Sequence, residues 1–311
     1  DNNMILIKKH KILLLLCKLS KKYRYQFFNC DDYNIFANLL DATVRKCFIL
    51  NSFEDDLIFK NISFFLGNNS TYVDVGANYG FHFMGILKLN DNKKPLIHLI
   101  EPNKDCIFCL KETIKRNLLK DVLVHGIALD KVNGHETFEY DKNSSVTGSL
   151  NNKFISFQKK DSLDKKWKNY DVQTLTLDNW MNENAIEEVQ VMKLDTSGFD
   201  WNIYTGGMKA FEVGKIKVLF FDLLKKQLLL HGTKPSKIIN FLMDNKYTIF
   251  NSKGGTEKDS VGFSLNNHEK KFNLLNIQEV IKYEDCSKTL PHIHGLAIHD
   301  SFLKKIILPK K

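Results

Sequence analysis

The residues Thr71 to Gly80 read T-Y-V-D-V-G-A-N-Y-G, and the order of their properties sets the fold. An apolar run ending at Asp74 predicts a strand, Gly76, Asn78 and Gly80 at alternate positions predict a tight turn, and Phe81 to Leu89 predicts the start of a helix. Glycine admits positive φ and close backbone approach, and asparagine is one of the few other residues that tolerates the left-handed region. A helix N-terminus behind such a turn offers unpaired N–H groups and the positive end of a dipole to an anionic group. Downstream, Pro95 to Ile100 is a second apolar run, and it closes on Glu101-Pro102-Asn103, 25 residues beyond Gly76. An acidic residue ending the second strand is placed to hold a ribose diol, so the two pieces together describe a nucleoside site.

After Glu101, Asn103 or Asp105 can cap a helix whose apolar positions Ile107, Leu110, Ile114 and Leu118 repeat at three and four. Val122 to Leu129 reads as a third strand, and such a βαβαβ succession predicts a doubly wound, mostly parallel sheet with ligands at the carboxyl ends of its strands. Val189 to Leu194, ending in Asp195, Ile216 to Phe221, ending in Asp222, and Tyr247 to Asn251 continue that sheet. Val261 to Leu265 and Gly295 to His299 are candidates for the antiparallel strands that close it. Ile12, Leu13, Leu16 and Leu19 recur at helical spacing, and Ile35 to Leu50 forms a second helix-like segment. The expected organisation is an N-terminal helical cover over residues 1–55, then one α/β domain over 56–311. Within that domain the core is 71–250 and the C-terminal strands occupy 251–311. Between Asp141 and Tyr170, Asn, Ser, Lys and Asp dominate, which reads either as a mobile lid over a substrate or as disorder.

The runs D-V-G-A-N-Y-G from Asp74, L-I-E-P-N from Leu99, L-T-L-D-N-W from Leu175 and V-M-K-L-D-T-S-G-F-D from Val191 resemble, in order and spacing, the FkbM-type S-adenosylmethionine-dependent methyltransferases. The resemblance covers Thr71 to Phe250. It implies a seven-stranded, Rossmann-like methyltransferase sheet with S-adenosylmethionine as cofactor. Asp74, Gly76, Asn78 and Gly80 would surround the methionine moiety, Glu101 with Asn103 beside it would take the ribose, and Ala128 with Leu129 would either flank the adenine or simply fill core. A nicotinamide dinucleotide competes for the same turn, but Asn78 stands where that fingerprint wants glycine. Two positions depart from the family pattern. Ser197 replaces the glutamate of the usual D-V-E-G, which bears on catalytic competence, and Asp222 replaces a glutamate.

The 311 residues are 43% hydrophobic and 26% charged, an ordinary balance for a globular chain with a substantial core. A net charge of +9 resolves by region: residues 1–50 hold 9 Lys and Arg against 4 Asp and Glu, 51–250 hold 26 against 25, and 251–311 hold 10 against 7. The excess sits at the ends, so a nucleic-acid groove through the site is disfavoured and the lysines read as a solvated surface, with a membrane surface or a partner as the functional alternative for the basic N-terminal helix. Ile12 to Cys17 is too short for a signal core of about 7–15 residues or a span of about 20. Six scattered cysteines suit a reducing, cytoplasmic setting, although a chain opening at Asp1 leaves any upstream signal or anchor out of view. Cys106 and Cys109 read as buried thiols on one helix face, with no second pair to make a zinc site.

Methyl transfer needs an acceptor oxygen held near the methyl and a group to take its proton. Asp195 and Asp222, both at strand ends, are the expected pair, one as base and one orienting the acceptor directly or through a divalent metal for which no ligand cluster speaks. His82, in the first turn after Gly80, is a further candidate base. The acceptor implied by the resemblance is a hydroxyl of a sugar, glycan or small metabolite. An RNA methyltransferase and a non-catalytic cofactor-binding module stand as alternatives.

Overall fold

The computed structural model describes residues 2–53, 56–90, 93–160, 166–252, 260–265, 268–286 and 292–307. Seven strands form the central sheet: β1 (Thr71–Val75), β2 (Leu96–Ile100), β3 (Val122–His125), β4 (Val189–Leu194), β5 (Ile216–Leu223), β6 (Tyr247–Asn251) and β7 (Ile293–His299). Their order is β6-β7-β5-β4-β1-β2-β3. The five strands from β3 to β5 pair in parallel, and β7 runs antiparallel between β5 and β6. The order reverses between β1 and β4, which opens a crevice at their carboxyl ends.

The central strands are near-continuous apolar runs because both faces are covered. Alternate residues feed two cores. Tyr72, Val191, Val218, Phe220 and Leu296 face the helices Asp56–Phe65 and Phe81–Leu89, while Val73, Met192, Leu219, Phe221 and Ala297 pack with Trp180, Tyr204 and Ile239 on the opposite face.

The N-terminal region departs from a purely helical cover. Tyr25–Cys30 and Tyr33–Asn38 form an antiparallel hairpin, so the segment expected to be helical from Ile35 starts as a strand and becomes helix only at Ala42–Leu50. Asp31 and Asp32 supply the turn, with φ of 48° and 64°. Two consecutive left-handed residues match the twist of a hairpin, and aspartate tolerates that conformation better than most residues. Buried residues of this hairpin, such as Cys30, Ile35 and Ala37, join the core cluster that holds Phe59 and Phe83.

The expected third strand is split. Beyond β3 the chain bends at Gly126, and Ala128–Leu129 leaves the central sheet for a four-stranded one, ordered Ala128–Leu129, Trp167–Leu175, Gly134–Asp141, Ser144–Ser149. The polar segment expected as a mobile lid or as disorder contains the strand Ser144–Ser149, the helix Asn152–Lys160 and the start of Trp167–Leu175. Its polar groups are spent on bonds: Thr147 Oγ1 accepts from the Asp141 N–H at 3.1 Å, and Asp41 Oδ2 accepts from both the N–H and the hydroxyl of Ser145, at 2.7 and 2.9 Å. Residues 161–165 of that segment lie outside the described ones. Val261–Leu265 does not close the central sheet either. The strand Ser260–Leu265 pairs with His268–Asn273 in a separate hairpin, and β7 alone provides the antiparallel closure.

Candidate active site

A cleft of about 230 Å³ lies over the carboxyl ends of β1, β2 and β4. Its floor is the turn after β1. Gly76 has φ +78°, and a Cβ there would collide with the backbone carbonyl of Asp195, because the Asp195 N–H bonds to the Val75 carbonyl at 3.1 Å and draws β4 against the turn. Only glycine fits that approach. Asn78 holds φ +52°, and Gly80 at φ +88° is the N-cap of the helix Phe81–Leu89, which has no side-chain cap. An uncapped helix end of this kind suits an anionic group.

Glu101 borders the cleft and is otherwise buried, 6% exposed. Its two carboxylate oxygens accept from the N–H groups of Asn78 at 2.8 Å and Asn103 at 2.7 Å. Burial raises its pKa from the ordinary 4.5 to about 7, the two backbone donors and Lys193 oppose the rise, and the charge of Asp74 adds to it. Each oxygen retains a lone pair toward the cleft. Ala128 lines the same cleft with Ile127 and Leu129. Asn103 does not reach it: its side chain caps the helix Lys104–Arg116 by accepting from the Asp105 N–H at 3.0 Å, and its own N–H holds Glu101. Asp74 is likewise displaced from the expected role. It is fully buried within β1, where Lys193 Nζ lies 3.3 Å from Oδ1. A mid-strand residue in a sheet covered on both faces points into a core, not along the strand toward a ligand.

Beside the cleft is a smaller recess of about 80 Å³, which shares Asp195 and His82 with it and adds Lys193, Asp222, Ser252 and His294. The three expected acceptor-side residues, Asp195, Asp222 and His82, thus meet there. Sheet register is the reason. Lys193 pairs with Asp74 across β4 and β1, and Asp222 pairs with His294 across β5 and β7, with all four on the face that carries Tyr72 and Phe220. Lys193 Nζ also lies 3.4 Å from Asp195 Oδ2. Burial alone would lower the Lys193 pKa, but Asp74, Asp195 and Asp222 outweigh it and the ammonium is held charged. His82 is flanked edge-on by the rings of Phe53 and Phe59. Ser197, at the departure from the family pattern, takes φ +53° and lines the cleft, where its hydroxyl donates to the Val146 carbonyl at 3.5 Å.

Sequence reasoning missed Lys193 and His294. A lysine inside an apolar strand run was the available signal for the first, since such a residue must find carboxylates. The signal for His294 was the H-x-H it forms with His292 beside His299, a pattern that reads as surface more often than as ligand, and its neighbour Asp222 is 72 residues away. The cysteines are free, with Cys106 and Cys109 buried, and among the described residues no group of three or more His, Cys, Asp or Glu is placed to hold a metal ion.

The strand order and the cleft at the point where it reverses define a Rossmann-like sheet of the methyltransferase type. Residues 74–249, more than half of the chain, match the profile of the Methyltransferase FkbM domain, and the protein belongs to that family. No curated protein is similar enough in sequence to count as a match. Among solved structures, the FkbM methyltransferase of Methylobacillus flagellatus KT is 15% identical at a TM-score of 0.41, with 59% of this chain aligned to 40% of that one. The precorrin-6y C5,15-methyltransferase of Geobacter metallireducens GS-15 is 12% identical over 78% of this chain and 86% of that one, at a TM-score of 0.35. A human methyltransferase 10 domain containing protein is 9% identical over 94% and 97%, at 0.40. The chain spans well under two thirds of the Methylobacillus protein's length.

Proposed function

We propose that the protein binds S-adenosylmethionine in the cleft and methylates a hydroxyl of a sugar, glycan or small metabolite that enters the adjoining recess. The observation that carries this reading is the juxtaposition of a glycine-floored cleft, with the Glu101 carboxylate at its edge, and a recess lined by Asp195, Asp222 and His82. Glu101 has the residual lone pairs to accept from a ribose diol, and the uncapped helix end beyond Gly80 suits a carboxylate. Ala128 and Leu129 offer an apolar surface for a purine. The bound sulfonium would supply the methyl group. What the chain contributes is placement of the acceptor oxygen and a polar recess for its proton, roles assigned here to Asp195, Asp222 and His82.

Residues 51–250 are nearly neutral, 26 Lys and Arg against 25 Asp and Glu, which favours an uncharged or small acceptor over a nucleic-acid track. The basic first helix is assigned to an anionic membrane surface. Calorimetry with S-adenosylmethionine, S-adenosylhomocysteine and NAD tests the cofactor: binding of the first two and not the third is expected. Methyl-labelled S-adenosylmethionine offered with methyl hexosides, simple phenols and total RNA then tests the acceptor. Label in RNA alone would overturn the hydroxyl-metabolite reading.

A further inference from the structure

The recess holds His294, to which the acceptor chemistry gives no role, against Asp222, to which it does. His294 Nδ1 lies 2.6 Å from Asp222 Oδ1, and the two residues are direct partners across β7 and β5. Both are half-buried, with 24% and 31% of their side-chain surfaces exposed, and both line the recess that Asp195 and His82 share with the cleft. A carboxylate accepts only from a protonated ring nitrogen, so Asp222 selects the tautomer with the proton on Nδ1. Nε2 is then left with a lone pair. This is the base-and-orienter arrangement of hydrolytic triads, in which a carboxylate fixes the imidazole and stabilises the imidazolium that forms.

We propose that His294 is the general base for the acceptor hydroxyl, with Asp222 as its positioning residue. The inference rests on the methyltransferase reading of the cleft and assigns the proton within it. As the acceptor oxygen forms its bond to the methyl carbon, the carbon–sulfur electron pair returns to sulfur and the hydroxyl proton passes to His294 Nε2. The charge so created sits against Asp222. Asp195, whose Oδ2 is already 3.4 Å from Lys193 Nζ, is tied to that ammonium and orients the acceptor without taking its proton. His294 lies outside the matched residues 74–249, on the strand that closes the sheet. The base would thus come from a C-terminal segment beyond the family core.

Two measurements test it. Long-range proton–nitrogen correlation spectra of the wild-type protein at alkaline pH, with S-adenosylhomocysteine present, report the neutral tautomer of each histidine. His294, identified by the signal lost in His294→Gln, is expected with the proton on Nδ1, and Asp222→Asn is expected to shift that population toward Nε2–H. An Nε2–H tautomer in the wild type would overturn the proposal whether or not an acceptor is in hand. With any methyl hexoside or phenol that is turned over, His294→Gln should lower kcat by about 100- to 10,000-fold with KM and S-adenosylhomocysteine affinity unchanged. A loss below tenfold would also overturn it. Failure of the wild type to bind S-adenosylhomocysteine would instead count against the cofactor reading, and calorimetry separates the two.

Discussion

Glu101 holds the Asn78 and Asn103 N–H groups with its two carboxylate oxygens and borders the cleft. With its pKa raised from 4.5 to about 7, the sign of its effect on stability is fixed: the folded state binds more protons than the unfolded one between those values. Its contribution is full below about pH 4.5 and is lost as pH rises through about 7. In the proposed complex a ribose diol would donate to the carboxylate, so ligand binding would favour the charged form and release a proton below pH 7. Affinity for S-adenosylhomocysteine should therefore increase from pH 6 to pH 7 and level off above it. Calorimetry across that range checks this, and an identical slope in Glu101→Gln would place the proton on another group. Glu101→Ala should weaken binding by about 1.5–3 kcal/mol, roughly ten- to a hundredfold. The position of this residue at the end of β2 and the edge of the cleft was legible because strand, turn and acidic residue fall at a fixed spacing in one stretch of chain. Asn103, two residues on, was legible as the cap of the next helix, but the sequence also set it beside the ribose, since a cap and a ligand contact call for the same polar side chain.

Among the elements, the first helix, Asn2–Leu19, carries two apolar faces. Leu13, Leu14 and Cys17 pack on the body of the protein, while Ile12, Leu15, Leu16 and Leu19 stand on the other side, 61, 57, 36 and 74% exposed, among the exposed Lys8, Lys9, Lys11 and Lys18. An apolar stripe bordered by lysines matches an anionic bilayer surface. Among the described residues no helix is long and apolar enough to cross a membrane. Vesicles containing phosphatidylserine are expected to carry the protein on flotation, and phosphatidylcholine vesicles are not. Replacing Ile12, Leu15, Leu16 and Leu19 by serine should abolish the effect. Retention by the serine variant would mean that the lysines alone, or another surface, make the contact. The segment from Asp141 to Tyr170 teaches the converse. Its polar composition read as a lid or disorder, yet Asp41, more than a hundred positions earlier, supplies the acceptor that fixes Ser145 in the cleft wall.

At the scale of the molecule, the buried pair Asp74–Lys193, with the half-exposed Asp195 beside it, ties β1 to β4 at the point where the sheet order reverses. Removing one member of a buried pair leaves a charge without its partner, and Lys193→Met should cost about 3–5 kcal/mol in urea unfolding. The double variant Lys193→Met with Asp74→Asn should recover much of that loss, since neither charge then remains buried. Additive losses would show that the pair is not coupled. The local sequence by itself determined the strand–turn–helix at Thr71 to Leu89, the parallel α/β sheet and the acidic end of β2, because each is encoded by periodicity and turn chemistry within a few dozen residues. The hairpin at Tyr25–Asn38 is local, but its Asp31-Asp32 turn lacks the glycine that usually marks such a turn. The four-stranded side sheet and the pairing of Asp222 with His294 were decided only by tertiary structure, because they depend on which distant strands lie side by side, and no local pattern records that choice.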